Sequence, residues 1–113
     1  MIKLSSKLLV IVATSDKEKA KTALMYAHNV MKRGWLDDVK VVYFGPSEKL
    51  VVEDPFIADQ AREIAEAGGS IACKFISDRE NVSEKFEELG VKVEYVGSII
   101  SDLIKDGYTP MVW

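Results

Sequence analysis

Apolar residues along this chain alternate between two spacings. Leu8-Leu9-Val10-Ile11-Val12-Ala13 is unbroken, which predicts a strand buried on both faces. Polar residues follow, and Ser15 with Glu18 fits a capping box. Ala20, Ala23, Leu24, Ala27, Val30 and Met31 then recur at helical spacing, with Gly34 placed to end the helix. Val39 to Phe44 predicts a second strand, closed by Gly45-Pro46-Ser47. Leu50-Val51-Val52 reads as a short extended piece. Asp54-Pro55 supplies a cap and a proline at the first helical position. Ile57, Ala61, Ile64 and Ala65 line that second helix, which stops at Gly68-Gly69.

Ile71-Ala72-Cys73 predicts the third strand. A helical turn and a short helix carrying Val82, Phe86 and Leu89 follow, ended by Gly90. Val91 to Val96 predicts the fourth strand. Ser98 is placed to cap a helix with Ile99, Ile100, Leu103 and Ile104 on its apolar face. Tyr108 to Trp113 predicts a last strand, and Pro110, lacking an amide donor, belongs at an edge or a strand end. The order βαβαβαβαβ predicts one α/β domain over residues 1–113: a three-layer α/β/α, flavodoxin-like fold with a mostly parallel five-stranded sheet. Right-handed crossovers are the default.

Composition narrows the functional classes. With 113 residues, the chain can bury a core without disulfides or structural metal. A net charge of −3, with 15 basic and 18 acidic side chains scattered along the chain, lacks the basic footprint of a nucleic-acid binder. Leu8 to Ala13 is too short to span a bilayer or to form a signal-peptide core, so the N-terminus is expected to be mature structure. One cysteine forms no internal disulfide, which fits a reducing cytoplasm. One cysteine and one histidine offer no metal-ligand spacing, so neither metal nor cofactor is expected. The Asn81-Val82-Ser83 sequon is expected to be accidental.

The chemistry centres on Cys73. It closes a strand, and open parallel sheets collect ligands beyond their strands' carboxyl ends. Lys74 is adjacent and Arg79 is near in sequence; cations and helix N-termini favour a thiolate. The competing reading is a small buried hydrophobe, since free cysteine is among the most buried residue types. A second candidate is an anion or ligand edge at Thr14, Ser15 and Asp16, with Gly97 and Ser98 a similar strand-to-helix turn. His28, the only histidine, reads as a half-buried packing residue unless the fold brings it to Cys73. Asp37-Asp38 and Glu87-Glu88 read as solvated charges. Trp35, Leu36, Phe56, Met111, Val112 and Trp113 are large apolar groups that either mark an interface or fold back over the helices.

Several segments carry a family likeness in a fixed order. Ala65-Glu66-Ala67-Gly68-Gly69 leads into Ile71-Ala72-Cys73-Lys74, then Glu88-Leu89-Gly90-Val91-Lys92-Val93. Val96-Gly97-Ser98 and Leu103-Ile104-Lys105-Asp106-Gly107-Tyr108 complete it. In this order the chain resembles the DsrE/DsrF-like family of small α/β sulfur-relay proteins. The resemblance implies a homo-oligomer, trimer or hexamer, and sulfur donor and acceptor proteins as partners. It implies that Cys73 carries sulfane sulfur as a persulfide, supported by Lys74 and Arg79. There is no second cysteine to resolve a persulfide within the chain. The alternative expectation is a non-catalytic oligomeric module that binds a small anion or a partner protein, with Cys73 structural.

Overall fold

The computed structural model describes residues 6–113. Strands β1 (Lys7–Val12), β2 (Asp38–Tyr43), β3 (Ser70–Cys73), β4 (Lys92–Glu94) and β5 (Thr109–Val112) form one sheet in the order β4-β3-β2-β1-β5. Every neighbouring pair is parallel, so the mostly parallel expectation sharpens to an all-parallel sheet. The helices are α1 (Lys17–Arg33), α2 (Ser47–Glu53), α3 (Pro55–Glu66), α4 (Lys74–Arg79), α5 (Ser83–Glu88) and α6 (Val96–Lys105).

The strand order dictates the layers. From β1 to β4 the chain steps one way across the sheet, and right-handed crossovers then place the connecting helices on one face. The return to β5, beyond β1, places α6 on the other. The packing follows this division. Leu8, Val10, Val12, Val41 and Tyr43 face Ala23, Leu24, Ala27, Ile57, Ile64 and Phe86 of α1, α3 and α5. Leu9, Ile11 and Val42 point the other way, to Val96, Ile100 and Leu103 of α6. This alternation explains the unbroken apolar run in β1: each face of the strand has its own helical layer.

Three local expectations change. Leu50-Val51-Val52 is helical, because Ser47 and Val51 bury one face of α2 and the Ser47 hydroxyl donates to the Val12 carbonyl at 2.5 Å. The α1 cap is Asp16, not Ser15: its carboxylate accepts from the Lys19 amide at 2.9 Å. Ser98 lies inside the first turn of α6, whose cap position is Tyr95; β4 is correspondingly short. Asp54 caps α3 as expected, accepting from the Phe56 and Ile57 amides, and Pro110 falls in the edge strand β5.

Candidate functional site

Parallel strands deliver their carboxyl ends to one edge of the sheet. Along that edge lie Ala13 to Asp16 after β1, Phe44 to Pro46 after β2, Cys73 and Lys74 at the β3–α4 junction, and Tyr95 after β4. The expected strand-end position of Cys73 is therefore met. The side chain is nonetheless largely closed off from solvent. Cys73 is only 6% exposed and belongs to the aliphatic cluster of Leu9, Ile11, Val42 and Val96 on the α6 face, with Ile71 and Ile76 packed against it. Strand alternation explains this: Ala72 points to the α1–α3 layer and Cys73 to the other. Cys73 occupies the cap position of α4, but its side chain makes no capping hydrogen bond.

The two expected supporting cations have other partners. Lys74 Nζ lies 2.9 Å from an Asp78 oxygen one turn along α4. That contact raises the lysine's pKa and lowers the carboxylate's. Arg79 Nε lies 3.4 Å from Glu80. His28 does not join Cys73 either: it stands on α1 with Nδ1 3.7 Å from Glu63 of α3, on the opposite face of the sheet.

The anion edge expected at Thr14–Asp16 and Gly97–Ser98 does not come together as one site. β1 and β4 are three strand spacings apart in the sheet, roughly 14 Å. Thr14 Oγ1 accepts from the Asp16 amide at 2.9 Å, and Asp16 accepts from Lys19, so these side chains are spent on shaping the turn into α1. Ser15 lines a hollow. That hollow, about 310 Å³, is walled by Ser15, Gly45, Pro46, Lys49, Arg79 and Glu80.

Behind this hollow stands a group that the sequence did not single out. Glu48, in the first turn of α2, is fully buried. One carboxyl oxygen receives a long 3.4 Å contact from the Gly45 amide, and the other, Oε1, has no partner among the described residues. Burial pushes this carboxyl up to about 8; the Gly45 amide and Arg79 pull it down, and Glu80 pushes it up. A buried carboxyl without a compensating charge favours its neutral form. At neutral pH it is therefore an acid with a proton to donate and no acceptor. The sequence signal that was available is slight: a glutamate two residues after Gly-Pro, on the side of α2 that also turns Val51 inward.

The same edge exposes aromatic residues. Phe44, Phe75 and Tyr95, one beyond each of β2, β3 and β4, are all exposed. Of the large apolar residues noted in the sequence, Trp35, Phe56, Met111 and Val112 are also exposed, whereas Leu36 and Trp113 fold back against the core. Among the described residues, no cluster of three or more His, Cys, Asp or Glu side chains is arranged to hold a metal ion, and no helix is long and apolar enough to cross a membrane.

No family model and no curated protein matches the chain. Among solved structures it is similar to a conserved protein of unknown function from Bacteroides thetaiotaomicron, at a TM-score of 0.82 and 26% identity over 95% of each chain. The α/β fold with its five-stranded sheet is thus shared over nearly the whole length of both proteins.

Proposed function

We propose that the chain is a DsrE/DsrF-like domain acting as a self-associating binding module for a small oxyanion, with its site in the hollow at the carboxyl ends of β1 and β2. One observation carries the reading: two cations, Lys49 and Arg79, line a hollow backed by Glu48, a buried acid with no acceptor for its proton. Buried polar groups normally have partners, and an orphan beside a cleft is a reason to look for a ligand. The ligand oxygens would meet Lys49, Arg79 and the Ser15 hydroxyl. In this reading Cys73 is packing. The exposed Phe44, Phe75 and Tyr95 support contact with further copies or with a partner protein.

The test is calorimetric titration with sulfate at pH 6. Saturable binding is expected, lost in Arg79→Ala and unchanged in Cys73→Ala. Absence of saturable binding to the wild type refutes the reading.

A second reading is favoured by one specific feature, the location of Cys73 at the carboxyl end of β3, where the family likeness expects a sulfur carrier. The Cys73 thiolate would attack the outer sulfur of a donor persulfide, breaking its S–S bond and releasing the donor thiolate. An acceptor thiolate would then remove that sulfur in the same way. Mass spectrometry after incubation with a small-molecule persulfide distinguishes the two. One added sulfur on the wild type, absent from Cys73→Ser, supports carriage, and an unmodified thiol removes it.

A further inference from the structure

This inference rests on the oxyanion reading above and adds its control. Lys49 and Arg79 bring two positive charges to the hollow and Glu80 one negative charge. While Glu48 is neutral, the lining has one net positive charge. Ionised Glu48 cancels it. We propose that Glu48 is a proton gate on this hollow: protonated, it lets a small tetrahedral oxyanion bind, and deprotonated, it expels that anion.

The geometry gives the gate its leverage. Glu48 has no exposed surface, so its charge is poorly screened by solvent. It contacts the Gly45 amide, and Gly45 is itself a wall of the hollow. The charged groups acting on it from the end of α4 are Arg79 and Glu80, also walls. On its own helix, Lys49 and Glu53 approach each other at 4.0 Å. From the side of α3, the Asp54 carboxylate is held by Lys17 at 2.8 Å. From the β1 side, Asp16 is engaged with the Lys19 amide. The carboxyl's ordinary value of 4.5 rises to about 8, so the gate operates near neutral pH rather than in acid.

Linkage makes the idea measurable. If the proton on Glu48 favours the anion, bound anion must equally favour the proton. Sulfate is the probe, because its charge stays constant across the range, whereas phosphate titrates within it. Wild-type affinity for sulfate is expected to fall about fivefold between pH 6 and pH 9, approaching at higher pH the roughly tenfold limit set by one unit of coupled pKa. Glu48→Gln, which is permanently neutral, should retain the pH 6 affinity at pH 9. Calorimetry of the wild type in two buffers of different ionisation enthalpy provides a readout independent of any variant. Near pH 8, sulfate binding should take up a fraction of a proton. Equal pH profiles for wild type and Glu48→Gln, or no proton uptake, would overturn the gate while leaving the anion site standing. No saturable sulfate binding at pH 6 would instead overturn the site itself.

Discussion

Glu48 also makes the stability of the domain depend on pH in an unusual direction. In the unfolded chain its carboxyl ionises near the ordinary 4.5; in the folded protein burial holds the proton up to about 8. Below both values each state is protonated and the group contributes no pH dependence. Between them, unfolding releases a proton, so stability falls as pH rises, by about 1.4 kcal/mol per unit. Above about 8 both states are ionised and the full loss has been incurred. The interval amounts to about 3–5 kcal/mol, a substantial share of the roughly 5–15 kcal/mol that holds a domain together. Glu48→Gln removes this titration while nearly preserving shape. Its amide needs an acceptor too, but that offset is the same at every pH. The assay is urea unfolding of both proteins at unit steps from pH 5 to pH 9, followed by subtraction. Subtraction cancels the groups the two proteins share, including Tyr108, whose hydroxyl is pushed up to about 12 by its hydrogen bond to Asp38. The wild type should lose about 3–5 kcal/mol relative to the variant across this range. A difference that stays flat would mean that Glu48 is ionised and compensated throughout, and the argument from its burial would fail.

Phe86→Ala should cost about 3–5 kcal/mol in the same unfolding assay, since Phe86 is fully buried with its ring centroid 5.5 Å from that of Tyr43. A cost below about 1 kcal/mol would show that the site collapses around the smaller residue. Gly69→Ala forces a Cβ onto a backbone at φ +80°, and that carbon would stand 2.9 Å from Lys40 Cδ. The lysine can swing away, so the expected loss of about 1–2 kcal/mol comes from the backbone; an unchanged urea midpoint would contradict it. Tyr108→Phe breaks the hydrogen bond to Asp38 and should destabilise by about 1–2 kcal/mol, with the Asp38 carboxylate returning toward its ordinary range by NMR titration. Native Cys73 should react slowly with an alkylating reagent and rapidly once urea unfolds the chain; fast labelling of the folded protein would show that the sulfur is reachable after all.

The apolar spacing carried most of the fold. Leu8 to Ala13 read as a doubly buried strand because both of its faces really are covered, and Asp54-Pro55 read as a helix start because the capping chemistry is local. Leu50 to Val52 misled, since three apolar residues in succession have no period, and what makes them helical is Ser47 reaching across to β1. Strand order was not legible, because no local signal says that the last strand returns beside the first. The site was harder still. Cys73 stood out as the only thiol, but which way it points depends on strand phase and on the packing of α6. Nothing in the local sequence sets Glu48 apart from the chain's other acidic residues. Its burial results from the approach of α3 and α4 to α2, and no neighbour in sequence announces that.

The pairing of β5 with β1 joins residues roughly a hundred positions apart, Leu8 with Thr109 and Ile11 with Val112. During synthesis on the ribosome, Leu8 to Val12 is therefore complete long before its second neighbour emerges. Such a run, with no charge and no proline, is a sticky template for other nascent chains. Until Thr109–Val112 docks, one flank of β1 stays open to chance partners. Once docked, Pro110 leaves the new outer strand short of an amide donor, and so less able to recruit a further one. Expression yield should consequently depend on this four-residue segment far more than its exposed side chains would suggest.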